Sequence, residues 1–160
     1  MLNDILKILE NDARTPPEKI SVMTGTPVDE VKRLIKEAEE DRTILKYKTL
    51  VNWDKVRGEQ VWALIEVKVT PQKDVGFDVI AERIHRFPET RTVYLISGSY
   101  DLFVLVVGKS NREIADFVSQ KLSHIEGVHE TFTQFVLKRY KEEGEIIDGQ
   151  EEVKRQQVVL

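Results

Sequence analysis

The stretch GSYDLFVLVVG, residues 98–108, constrains the fold more than any other part of the chain, because Leu102 through Val107 is apolar at every position. Side chains along a strand point alternately to its two faces, so a strand with one face in water reads polar at every second residue. This run does not alternate. Both of its faces are therefore expected to be covered, and the polar tip before it, Gly98, Ser99, Tyr100 and Asp101, needs a role of its own.

The flanking segments supply the cover for one face. Val61 to Val69 reads as a strand, and Pro71 to Asp74 as a turn. Val75, Val79, Ile80, Ile84 and Phe87 then keep helical spacing that ends before Pro88. TRTVYLIS reads as a second strand and LFVLVVG as a third. A helix from about Asn111 to Ile125, a turn at Glu126-Gly127 and a last strand within ETFTQFVLKRY complete the order βαββαβ. Such an order stacks its helices on one face of a four-stranded antiparallel sheet and leaves the other face bare. In the second and third strands both parities carry large apolar groups, so the bare face would be a patch larger than monomers usually expose. Sheet-to-sheet dimerisation about a two-fold axis covers it most economically; a C-terminal tail folded over it is the alternative.

The first 45 residues hold only helical patterns. Leu2, Ile5, Leu6, Ile8 and Leu9 make one stripe, and a proline pair ends it. Pro17 sits where a first-turn proline is tolerated, Glu18 to Met23 makes a short second helix, and Thr24, Gly25 and Thr26 form a tight turn. The third helix opens at Pro27 and Val28. Val31, Leu34, Ile35 and Ala38 form its apolar stripe, with Lys32, Arg33 and Lys36 off it. The second and third helices read as a helix-turn-helix. The expected domains are 1–46 for this head, 47–60 for an extended connector, 61–140 for the ferredoxin-like body and 141–160 for a charged tail whose terminal VVL could dock on a neighbour.

Composition limits the function classes. With 41% apolar and 32% charged residues, and no stretch near the roughly 20 apolar residues that span a bilayer, the chain reads as a soluble protein with no membrane partner. Its N-terminus lacks the basic flank and cleavage site of a secretory signal, so a cytoplasmic location is expected. The chain has no cysteine, which removes zinc-finger, iron–sulfur and thiol chemistry. A net charge of −4 argues against a protein that coats nucleic acid but leaves room for a local basic face.

The segments LNDILKILENDAR, GTPVDEVKRLIKEAEEDRTILKYKTLVN, VYLISGSYDLFVLV and IEGVHETFTQFVLKRYKE together resemble the Lrp/AsnC family of feast/famine transcription regulators over about residues 1 to 140. The resemblance implies an α+β chain: a three-helix, winged-type helix-turn-helix domain followed by a ferredoxin-like βαββαβ domain. It implies a transcription regulator that binds palindromic operator DNA as a homodimer, and dimers that assemble further, often to octamers. The second domain is similar to one that binds an amino acid or related small metabolite at subunit contacts. Neither cofactor nor enzymatic activity is expected.

The tip then has two readings. Gly98 permits a backbone path that a side chain would block, Asp101 could accept from a ligand ammonium group, and Ser99 and Tyr100 could shape a pocket. Alternatively the four residues are a hairpin turn whose aspartate bonds to nearby backbone. Ser99 stands where family members often carry an acidic residue.

Thr26, Lys32, Arg33 and Lys36 are the candidate DNA contacts, since a recognition helix needs cations for phosphate and polar groups near its N-terminus for base edges. The other reading of the three cations is a solvated helix face. From Val28 to Asp41 they are outnumbered by Asp29, Glu30, Glu37, Glu39, Glu40 and Asp41, a balance of −3. Glu37 to Asp41 cluster at the far end. Asp29 and Glu30 stand where a groove reader approaches, and either accept from a cytosine amino group or repel phosphate. The alternative function is a metabolite-binding oligomer whose acidic head no longer binds DNA. Arg42 follows the third helix where relatives often have glycine, and would touch the DNA backbone or cap the helix.

Other signals fail. VVGKS lacks the upstream glycine of a phosphate-binding loop, because position 103 is Phe103. His124 and His129 flank a turn without an obvious third ligand, which favours surface histidines over a metal site. No carboxylate pair is placed for acid–base catalysis.

Overall fold

The computed structural model describes residues 1–56, 60–70 and 76–147. The expected turn at Pro71 to Asp74, the helical position of Val75 and the terminal VVL lie outside these residues. The chain divides into two units, Met1–Val51 and the remainder from Asn52.

In the first unit α1 (Leu2–Asn11), α2 (Pro17–Thr24) and α3 (Val28–Glu40) enclose a small core of Ile5, Leu9, Ile20 and Val31, with Ile8, Leu34, Ile35 and Ile44 packed against it. Pro17 occupies the first turn of α2, where its missing N–H costs nothing. Gly25 ends α2 in the left-handed conformation, φ 70°, and its N–H donates to Ser21 O at 2.9 Å. That sharp exit directs α3 away from α2. Arg42 takes the corresponding position after α3 with φ 64°, and Ile44 N–H donates back to Ala38 O at 2.7 Å, which folds Ile44 onto the core. Residues 43–51 form no strand.

The second unit runs β1 (Val61–Val69), α4 (Gly76–His85), β2 (Thr90–Leu95), β3 (Leu102–Gly108), α5 (Asn111–Gln120) and β4 (Val128–Phe135), with the four strands antiparallel in the order β2-β3-β1-β4. The helix that was expected to reach Ile125 stops at Gln120. Lys121 caps the helix with its N–H on Phe117 O and a stretched φ of −116°, and a short 3-10 turn, Leu122–His124, follows; Leu122 is fully buried in the core. The segment 141–147, expected as part of a solvated tail, contains a small hairpin of β5 (Lys141–Glu142) and β6 (Glu145–Ile146). Its two turn residues, Glu143 and Gly144, both have positive φ, the twist that suits a two-residue hairpin. Asn52 Nδ2 donates to Ile147 O at 3.1 Å and ties the hairpin to the start of the unit.

The central apolar run is resolved face by face. Leu102, Val104 and Val106 are fully buried with Ala63, Ile65 and Val67 under Ile80, Ile84, Ile114 and Phe117. Fully burying each Val, Leu or Ile side chain contributes about 1.5–3 kcal/mol. Phe103, Leu105 and Val107 point the other way and are only half-buried. Around them lie Trp62 and Leu64 on β1 and Tyr94, whose ring stacks on Phe103 at 6.2 Å. Phe132 of β4 is opposite Glu66 on the same face and is 50% exposed. At one end Arg139 lies 4.9 Å over the Trp62 ring and pairs with Asp54 at 3.3 Å. The chain after β4 thus covers Trp62.

Candidate functional site

The tip between β2 and β3 is shaped by its backbone and tied to β1. Gly98 has φ 133°, and no atom stands within 4 Å of where a Cβ would be. Conformation, not space, requires glycine there. The ladder between β3 and β1 ends at the Leu102–Val67 pair, so Val69 N–H has no strand acceptor on that side. Asp101 Oδ2 supplies one at 2.8 Å, while Asp101 N–H donates to Val67 O at 3.0 Å. Lys68 Nζ donates to Ser99 O at 2.6 Å. Three bonds therefore hold residues 99–101 against residues 67–69.

Tyr100 lies across the same end of the open sheet face. Its ring stacks on Phe132 at 6.4 Å, and its hydroxyl reaches Glu130 Oε1 at 3.5 Å. Burial pushes the Tyr100 phenol up, and the carboxylates of Glu130 and Glu66 push it the same way. Glu66 in turn accepts from Gln134 Nε2 at 3.1 Å. The four tip residues come together because they are consecutive. Glu66, Lys68 and Glu130 join them only through strand pairing, and the sequence signal for Glu66 and Lys68 is the late polar alternation of β1.

In the head, Lys32, Arg33 and Lys36 are exposed along the outer stripe of α3 together with Asp29, Glu37 and Glu40. Thr26 is placed differently: it is buried, with its N–H donating to Thr24 Oγ1 at 3.3 Å, the geometry of a turn residue. Each of the three cations meets a carboxylate of the head itself. Lys32 Nζ is 3.3 Å from Glu18 Oε1, joining α2 to α3, and Lys36 Nζ is 3.6 Å from Glu40 Oε1. Arg33 is held more completely. Its Nε donates to Glu30 Oε2 at 3.0 Å, its Nη2 to Glu30 Oε1 at 2.6 Å and its Nη1 to Glu37 Oε1 at 2.5 Å. The Arg33 guanidinium beside Glu30 holds that carboxyl below its usual range, and the same bonds raise Arg33 further. Glu18 is lowered by its own backbone N–H and then by Lys32. Exposed pairs of this kind are weak and screened by solvent, so a phosphate can displace a singly bonded lysine at little cost.

His124 and His129 are both exposed, and among the described residues no cluster of three or more His, Cys, Asp or Glu side chains could hold a metal ion. Among the same residues no helix is long and apolar enough to cross a membrane.

A helix-turn-helix head joined to a ferredoxin-like body with a polar, strand-anchored tip defines a class of two-domain regulator. Comparison with known proteins agrees. Residues 62–146 match the model of the Lrp/AsnC ligand-binding domain. The chain is 46% identical over 153 residues, covering 95% of it and 92% of the relative, to the uncharacterized HTH-type transcriptional regulator YugG of Bacillus subtilis. It is similar in fold to the leucine response regulatory protein of Mycobacterium tuberculosis, with a TM-score of 0.76 at 18% identity over 91% of this chain and 97% of that one. A regulator from Neisseria meningitidis, solved as a complex with L-Met, gives 0.70 at 22% identity over 88% and 90%. The chain belongs to the Lrp/AsnC family of helix-turn-helix transcription regulators.

Proposed function

We propose that this regulator binds double-stranded operator DNA as a homodimer in the cytoplasm, and that an amino acid or related small metabolite at the 98–101 tip alters how its heads are presented. The observation that carries the reading is the outer stripe of α3. Lys32, Arg33 and Lys36 share one exposed face of the second helix of a helix-turn-helix, the helix that enters the DNA groove. Thr26 serves the turn that sets α3 at its angle. The half-buried apolar row Phe103, Leu105 and Val107 supports a dimer that packs open face to open face, and assembly of such dimers towards an octamer is part of the same proposal. The tip places the Asp101 carboxylate and the Tyr100 hydroxyl near the ends of β1 and β4, acceptors suited to a ligand ammonium group. That a regulator of the same fold carries L-Met supports an amino acid as the ligand class. Ligand binding acts by differential affinity for two arrangements of the oligomer.

A second reading is favoured by the ion pairs. Each cation of the stripe is already matched by a carboxylate within the head, which suits a metabolite-binding oligomer that no longer reads DNA. Fluorescence anisotropy on DNA from upstream of the protein's own gene, with salt titration and with an amino-acid pool, decides between them. Saturable binding that exceeds binding to scrambled DNA and weakens with salt is expected of the regulator. No binding at low salt would leave the second reading.

A further inference from the structure

We propose that Arg33 reads a guanine in the major groove and that Glu30 is the positioning residue that aims it. The inference rests on the DNA-binding reading above and goes beyond it by assigning separate tasks to the cations of α3. Lys32 and Lys36 each touch one carboxylate with a flexible ammonium, so they are free to exchange that contact for a phosphate. Arg33 is held on two sides. Glu30 grips it in a two-bond fork at Nε and Nη2, and Glu37 takes Nη1 from one turn further along the helix.

This arrangement makes Arg33 a poor phosphate ligand and a good base reader. The Glu30–Arg33–Glu37 group carries one net negative charge, which disfavours a close phosphate. The guanidinium has five N–H donors, and the three bonds use three of them. One N–H on Nη1 and one on Nη2 remain, the number that the two major-groove acceptors of guanine, O6 and N7, call for. An arginine on a solvent-exposed helix ordinarily loses side-chain freedom when it meets a base, and here the carboxylates have already ordered it. Asp29 and Glu30, which look unfavourable as isolated charges at the DNA-facing end of α3, become acceptable. One orients the reader, and a neighbouring carboxylate can accept from a cytosine amino group. The assignment predicts a half-site with a G·C pair under the first turns of α3.

The test starts from duplexes enriched out of a random pool by the full-length protein. Wild type, Glu30→Gln and Arg33→Ala are then compared on the enriched site, on a scrambled site, and on enriched sites with single guanines replaced by 7-deazaguanine, which lacks the N7 acceptor. Both residues are on the surface, and unchanged circular dichroism confirms that the variants fold. Glu30→Gln removes a negative charge, so it should bind scrambled DNA more tightly while its specific-to-scrambled ratio falls about tenfold. One 7-deazaguanine position should weaken wild type about tenfold and leave Arg33→Ala, which has no donor for N7, unaffected. If Glu30→Gln gains equally on both sequences, Glu30 only repels DNA and the positioning role is lost. If no 7-deazaguanine position matters, Arg33 does not read guanine. Failure of wild type to enrich any sequence would overturn the DNA-binding reading itself, a result distinct from either of those.

Discussion

Asp101 bonds to Val69 across 32 positions of sequence: its Oδ2 accepts the Val69 N–H at 2.8 Å, where β3 has ended and no strand acceptor remains. Replacing Asp101 with alanine leaves that half-buried donor unpaired. The expected loss is about 1–3 kcal/mol, the cost of an unsatisfied group rather than the smaller net value of one bond. Asp101→Asn keeps an acceptor oxygen and should lose clearly less. Urea denaturation of the two variants checks this, and equal losses would mean that charge, not acceptance, matters. The comparison also bears on ligand sensing. Loss of a ligand-induced thermal shift in Asp101→Ala counts as evidence for a ligand contact only if Asp101→Asn, with the tip intact, loses it too.

Arg42 gives the second prediction. It is a non-glycine residue at φ 64° immediately after α3, and its N–H donates to Glu39 O at 3.3 Å. An L side chain in this conformation carries strain of about 1–2 kcal/mol. Glycine removes the strain but raises the entropy of the unfolded chain, so Arg42→Gly should stabilise the head by a net amount of about 0.5–1 kcal/mol. Hydrogen exchange of the buried Ile20 and Val31 amides reads the head directly. Faster exchange in the glycine variant would show that the Arg42 side chain does more for the head than its backbone costs.

These two residues mark where reading a sequence succeeds and where it stops. The unbroken apolar run from Leu102 to Val107 announces a covered strand, and its neighbours follow from periodicity, so the βαββαβ order is legible. The partner of Asp101 is not, because it depends on where β3 stops pairing with β1. The clamp on Arg33 had a signal in the i,i+3 and i,i+4 spacing of Glu30, Arg33 and Glu37, but summing charge along the helix hides it. Gln120 ends α5 for a tertiary reason, the burial of Leu122, which local propensity does not contain. The hairpin at 141–146 is masked by its charges, although Glu143-Gly144 is a turn signal.

Tyr47 supplies a pH dependence. Burial and then its hydrogen bond to Glu39 Oε1, at 2.8 Å, push the phenol up to about 12 from the ordinary 10.0. The folded head therefore holds this proton more tightly than the unfolded chain does. The stabilisation is complete below pH 10 and is lost as pH rises from 10 towards 12. In Tyr47→Phe the dependence disappears, so the stability difference between wild type and variant should shrink over that window and be constant below it. Chemical denaturation at a series of alkaline pH values measures it. A difference that stays constant through pH 11 would show that the Tyr47 proton is not linked to folding.

Leu105 lies at the centre of the open sheet face, paired with Leu64 on β1 and Thr92 on β2, and is half-buried in a single chain although nothing described in the chain crosses it. A second copy packed on this face would bury it fully. Leu105→Glu should then place two carboxylates near the two-fold axis in an apolar contact, a cost of several kcal/mol that a dimer of ordinary size does not survive. Within one subunit the same change meets solvent, so the body should keep its circular dichroism and most of its stability. Analytical ultracentrifugation is expected to show wild type as dimers or larger and Leu105→Glu as monomers. Anisotropy should show that the monomer has lost most of its operator affinity, because one head alone forgoes the effective concentration that the second supplies. A Leu105→Glu protein that remains an oligomer would move the interface elsewhere on the body and leave the apolar row Phe103, Leu105 and Val107 without its proposed partner.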